Sequence, residues 1–246
     1  MVYARLAEQP ERLAIIQWTA RMGAVTAEAL ACREGTSVAS ARSRLVAAER
    51  GGLVSRRRPL AGHPALYTIT RAGLQGSGLR GFEPCRVSAS TALHMIVCAG
   101  VAVALELAYP DHHVMGEREL RRAETERGGL LASACLRGGP SGDPLLHRPD
   151  LVLWSTNSDR GRPVAVEVEL TVKAPRRLAE ICRAWARARH VAGVLYIATP
   201  SVQRALERAI ERVQAAERIV VAPIGSLARA GEPTGMPFAR AIPVDS

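Results

Sequence analysis

The run His147-Arg148-Pro149-Asp150-Leu151-Val152-Leu153-Trp154 is followed, after a polar spacer, by Val164-Ala165-Val166-Glu167-Val168-Glu169-Leu170-Thr171-Val172-Lys173. Both read as strands, over 150–154 and 164–170, because β-branched and apolar residues dominate and turn residues bound them. Alternation puts Val164, Val166, Val168 and Leu170 on one face of the second strand, and Glu167 and Glu169 together on the other. Two carboxylates on one side of an otherwise hydrophobic strand are costly unless a cation compensates them. Asp150, at the start of the neighbouring strand, can complete an oxygen-rich site. Such donor sets hold hard cations, Mg²⁺ or Mn²⁺, which polarise a phosphodiester and activate water.

Working outward, a helix over 175–189, a strand over 191–198, a helix over 201–216 and a strand over 219–221 follow. That alternation predicts an α/β layer. Pro175 suits the first turn of its helix. Leu178, Ile181 and Trp185 form that helix's apolar stripe, and Arg176, Arg183 and Arg187 its basic face, with Arg177 adjacent. Upstream, a helix over about 88–108 is capped by Ser88 or Ser90, and His113–Met115 is a short strand. Residues 124–147 hold two Gly-Gly pairs and two prolines and read as a mobile loop. The longest apolar run, Met95–Leu105, reads as a buried helix too short to cross a bilayer.

The first third has a different rhythm. Leu13, Ile16 and Ala20 recur at helical spacing up to Met22-Gly23. Thr26 caps a second helix, which Gly35 breaks. Thr36 or Ser37 caps a third, in which Val38, Ala41, Leu45 and Ala48 form an inward stripe. Ser37, Ser40, Ser43 and Arg44 then face outward, with Arg42 on a flank. After Gly51-Gly52, residues 53–58 and 65–69 read as two strands of a hairpin, and Thr70 caps a short helix. Three consecutive arginines, Arg56, Arg57 and Arg58, cannot all be buried by an alternating strand, so some face solvent or a phosphate backbone. Small hydroxyls and arginines on one helix suit an approach to base edges.

Charge points the same way. The chain has 246 residues, 33 basic against 23 acidic, and a net charge of +10. Lys173 is the sole lysine, and residues 1–90 carry +7 of the total. Such an asymmetry suits a polyanion. Five scattered cysteines, none in a CxxC pair, fit reduced thiols in a cytoplasm, and the N-terminus has no secretory pattern. Neither a Gly-rich phosphate loop nor an aromatic pocket recommends a small-molecule domain, at 4% aromatic residues.

The order of elements over 10–80, with GAVTAEALACREGTSVASARSRLVAAERGGLVSRRR and ALYTITRAGL, resembles a winged helix-turn-helix. Pro149-Asp150 and Glu167-x-Glu169 resemble the PD-(D/E)xK nuclease superfamily. The two together, over about residues 10–222, resemble the replication-relaxation family of bacterial plasmids and mobile elements. The resemblance implies a two-domain chain of the α+β and α/β classes. Residues 1–86 form the winged helix, 87–225 a restriction-endonuclease-like domain, and 226–246 a loosely ordered tail. It implies double-stranded DNA as partner, read by Ser40, Arg42, Ser43, Arg44 and Arg56–Arg58, with Arg176, Arg183 and Arg187 along the backbone. A homodimer is compatible with it, and no membrane is expected. It also implies a metal-dependent endonuclease with Asp150, Glu167 and Glu169 as ligands, Glu106 as a further ligand from the first helix, and Lys173 stabilising developing charge. Glu117 and Glu119 are further candidates for that helical acid, and His147 lies close enough in sequence to approach the site.

One departure qualifies this. The family pattern has lysine where Glu169 stands. Lys173 lies roughly 20 Å from Glu167 if the strand continues. If the strand ends near Thr171 and the chain turns, its side chain can fold back. The alternative is a non-enzymatic regulator of replication or transcription, DNA-binding, with a degenerate nuclease fold.

Overall fold

A computed structural model describes residues 9–138, 144–156 and 161–229. Most of the expected tail, from 230 onward, lies outside them, as do residues 139–143 of the expected loop. The chain is mixed α/β, with eight helices and a mixed five-stranded sheet among the described residues. It divides into two compact units, up to Val103 and from Ala104. The division falls inside a helix, not at the Gly/Pro-rich stretch over 76–87.

In the first unit, α1 (Pro10–Met22) leads into β1 (Ala24–Val25), α2 (Ala27–Glu34) and α3 (Val38–Arg50). The caps are those the sequence offers: Thr26 Oγ1 accepts the Ala29 N–H, and Ser37 Oγ the Ser40 N–H. Gly35 ends α2 at φ +62°, the left-handed region open to glycine. The hairpin β2 (Val54–Arg57) and β3 (Leu66–Ile69) pairs antiparallel, and β1 joins the far edge of β3. Thr70 then caps α4 (Arg71–Ser77). Gly73 packs so close that a Cβ there would meet Leu53 O at 2.1 Å. The core gathers Ile16, Trp18, Leu30, Leu45, Tyr67 and Ile69. Ala41, Leu45 and Ala48 are buried as expected. Val38 is not, at 38% exposed, because it opens the first turn of α3, before the helix reaches its neighbours.

Helix α5 runs over Ala89–Ala108. Ser88 and Thr91 cap it reciprocally, each side-chain oxygen accepting the other's N–H. It is 20 residues long, and its most apolar 18-residue window has a mean hydropathy of 1.9 with 33% of that window buried, so by length and composition alone it is apolar enough to cross a membrane. Counting only the unbroken run Met95–Leu105 understated it, because the flanking small residues extend the apolar stretch.

The second unit continues with β4 (His112–Gly116), α6 (Glu117–Arg127), β5 (Ala134–Gly138), β6 (Pro144–His147), β7 (Leu151–Ser155) and β8 (Val164–Glu169). Then come α7 (Pro175–Arg187), β9 (Gly193–Ala198), α8 (Pro200–Val213), β10 (Ile219–Pro223) and a 3₁₀ turn (Ile224–Arg229). The sheet order is β10-β9-β8-β7-β4. Strand β7 runs antiparallel to both of its neighbours, β4 and β8, whereas β8, β9 and β10 run parallel, as their helical crossovers require. Val152, Ala165, Val194 and Tyr196 form a core with Leu178, Ile181 and Trp185 of α7.

The expected loop over 124–147 is corrected here. Its start is the end of α6, and β5 and β6 form an antiparallel hairpin. Helix α6 is almost wholly polar, with Leu120 and Glu124 its buried residues. Ion pairs Glu117–Arg121 (2.6 Å) and Arg122–Glu126 (2.7 Å) lie along it at i,i+4. Glu124 accepts the N–H groups of Leu131 and Ser133 and the Ser133 hydroxyl, tying the Gly-rich turn to the helix.

Candidate functional site

Each unit carries its own group of functional side chains. In the second, all six residues of β8 are buried, Glu167 at 6% and Glu169 at 7% exposure. In the register of the sheet Glu167 lies beside Tyr196 and Glu169 beside Ala198, on the face that packs on α7. An apolar layer therefore surrounds two acids, and each has found a donor. Glu167 Oε1 accepts the Trp185 indole N–H at 3.2 Å and lies 2.7 Å from His147 Nε2. The His147 ring meets Trp185 edge-on, centroids 5.7 Å apart. Burial pushes the Glu167 carboxyl up. His147 opposes that, the Asp150 charge adds to it, and Lys173 opposes it. Asp150 Oδ2 accepts the Val168 N–H at 2.8 Å, stitching the start of β7 to β8.

Lys173 settles the question its spacing raised. The strand ends at Glu169, the chain bends at Thr171, and the ammonium folds back to pair with Glu169. Burial lowers the amine's pKa, while Glu167 and Asp150 pull it up and Arg177 lowers it further. Burial likewise raises the Tyr196 hydroxyl, and it pushes the Cys182 thiol up to about 11, in each case with Glu167 adding to the effect.

The metal expectation fares differently. Among the described residues, no three of Asp150, Glu167, Glu169 and Glu106 bring one oxygen each within 4.8 Å of one another. Glu106 is half-buried near the end of α5. Glu117 pairs with Arg121, and Glu119 lies 3.5 Å from His113. As arranged, these carboxylates do not fit a shared divalent ion, which would have to displace Lys173 from Glu169 and draw the oxygens together. The arrangement is a closed acid–base cluster.

In the first unit, Ser40, Arg42 and Ser43 are exposed on α3, as expected. Arg42 lies 3.7 Å from Glu28 with both side chains largely in solvent, a weak pairing. Arg44 departs from the expectation of an outward reader. It pairs with Glu34 and, at 3.2 Å, with Glu11, which ties α3 to α2 and α1. Its side chain is 28% exposed. Arg56 lies 3.5 Å from Glu49. Arg57 and Arg58 are exposed, with no ion pair among the described residues. Arg42, Arg56, Arg58 and His63 line one cleft of about 280 Å³ with Glu28 and Tyr67, between α3 and the hairpin. On α7, Arg176 and Arg183 are exposed, and Arg187 donates to Leu136 O at 3.4 Å.

Sequence reasoning assigned no role to Trp185 beyond the apolar stripe. The available signal was its indole N–H, which needs an acceptor once buried. His147, expected only to approach the site, is a direct partner of Glu167. Compared with family models, curated proteins and solved structures, the chain matches none.

Proposed function

We propose that this chain binds double-stranded DNA through its first unit, a winged helix-turn-helix, with α3 in the major groove and the β2–β3 hairpin on the flanking backbone. The observation that carries the reading is the cleft where Arg42 of α3 meets Arg56 and Arg58 of the hairpin. These elements come from different parts of the chain, yet their cations converge where a phosphate backbone would pass. The closed acid cluster of the second unit favours a regulator of replication or transcription, of the replication-relaxation kind, over an enzyme. Fluorescence anisotropy with labelled duplex tests this. Affinity should fall steeply with salt and collapse in an Arg42→Ala, Arg56→Ala, Arg58→Ala variant. Salt-insensitive binding, or full affinity in that variant, would refute it.

A second reading, a metal-dependent endonuclease, is favoured by Lys173. Its return to Glu169 supplies a cation beside the acids, in place of the missing lysine of the motif, within a nuclease-like order of strands. Plasmid nicking with Mg²⁺ or Mn²⁺ separates the two. Cleavage that disappears in Asp150→Ala establishes the enzyme; intact DNA beside normal binding establishes the regulator.

A further inference from the structure

Helix α5 is the most apolar element of the chain, and Glu106 is the only Asp, Glu, Lys or Arg in it. One side packs inward: Ala92 against Ala24 and Leu66, and Ala99 and Val103 in the core of the first unit. A strip about a quarter turn round the helix from that side is open. Leu93 is 42% exposed and Leu107 52%, Gly100 is exposed, and Val97 and Ala104 are half-buried. These five residues follow one another at intervals of four, three, four and three, the spacing that keeps a seam on one side of a helix.

The seam is also nearly symmetric about its middle. Large leucines sit at the ends, smaller Val97 and Ala104 inside them, and Gly100 at the centre. A Cβ on Gly100 would meet nothing within 4 Å, so a neighbour's backbone can approach there. A two-fold axis through Gly100 sets small residue against small and leucine against leucine, which is the self-matching an isologous contact needs. Charge selects the same place. Two copies of a chain carrying +10 repel on average, and α5 adds no positive charge to that repulsion, Glu106 being its one Asp, Glu, Lys or Arg. From Leu93 to Leu107 the seam is about 21 Å long. A helix pair in contact over that length buries on the order of 1,000 Å² in total, about the threshold for a specific interface.

We infer that the Leu93–Val97–Gly100–Ala104–Leu107 face of α5 is a homodimer interface in which two copies of the helix cross at Gly100. The inference does not depend on the DNA-binding reading. Sedimentation velocity of the full chain from about 1 to 100 µM tests it, that span covering the micromolar affinities a contact of this size supports. A concentration-dependent dimer is expected. Leu93→Glu with Leu107→Glu should weaken it at least about tenfold, with an unchanged far-ultraviolet circular dichroism spectrum. Gly100→Cys, placed in a Cys32→Ser, Cys135→Ser background, offers a second readout where the side chain has room. Mild oxidation should give a covalent dimer absent from the background protein. A wild type monomeric throughout, a dimer indifferent to the two glutamates, or no cross-link at Gly100→Cys would overturn the inference. So would co-flotation of the wild type with phosphatidylcholine vesicles that the two glutamates abolish, since lipid would then be the occupant of this face.

Discussion

In the first unit Arg57 and Arg58 stand in solvent with no ion pair among the described residues, whereas in the second each acid of the Asp150, Glu167, Glu169 group already has a donor. The two groups show how burial divides charged side chains. An exposed arginine keeps its hydration and remains available to a polyanion. A buried carboxylate must be satisfied within the chain, and once satisfied it serves packing as much as chemistry. Arg44 makes the point inside the first unit. It lies on the same helix as Arg42, yet two glutamates hold it and it serves the helix bundle.

The largest effect should come from the exposed side of this contrast. Removing Arg42, Arg56 and Arg58 together should cost on the order of 1,000-fold in duplex affinity at low salt. It should also lower the slope of log affinity against log salt by roughly 2 to 3, as anisotropy titrations at several salt concentrations would read. Arg44→Ala should instead lower the melting temperature and leave the slope nearly unchanged; a lost slope would return Arg44 to the DNA face.

Breaking the buried side should show in stability first. Glu167→Ala strands the Trp185 N–H and His147 in an apolar layer, at a cost of about 2 to 4 kcal/mol in denaturant unfolding. Glu167→Gln keeps an acceptor for Trp185 and should cost less than half as much. Equal losses from the two would mean that the charge, and not the hydrogen bond, holds the cluster.

A smaller effect follows from Cys182. Burial holds its thiol at about 11, so the folded chain keeps that proton while the unfolded chain releases it at the ordinary thiol value. Because the folded state then binds more protons, stability should fall as pH rises from about 9 toward 11. Thermal melts across that window should show a steeper decline for wild type than for Cys182→Ala, compared by slope to remove the cavity cost. The smallest expected change is kinetic. At pH 8 a thiol reagent should modify exposed Cys32 and Cys135 well before buried Cys182.

Much of the fold was legible because its signals are local. Thr26 and Thr70 cap the helices they were expected to cap, and of the two candidates Thr36 and Ser37 it is Ser37 that caps α3, since a short hydroxyl side chain reaches only its own first turn. Strand β8 was legible from alternating valines, and its two acids were correctly placed on one face. Helix α6 and the β5–β6 hairpin were missed. The helix is held by ion pairs and by Glu124 more than by an apolar stripe, and glycines elsewhere in that stretch imitated a loop. At the site, Asp150, Glu167 and Glu169 were found from sequence, but the partners His147 and Trp185 arrive from β6 and α7, and no local pattern links them.

The sequence by itself determined the alternation of elements, the basic bias of the first ninety residues and the pairing of two glutamates on one strand face, because period and composition are properties of neighbours along the chain. Only the tertiary structure decided which charges are engaged. It brought Lys173 back onto Glu169, closed Trp185 and His147 over Glu167, paired Arg44 with Glu34 and Glu11 and left Arg57 and Arg58 in water. Those outcomes depend on the desolvation each group meets when distant segments pack together.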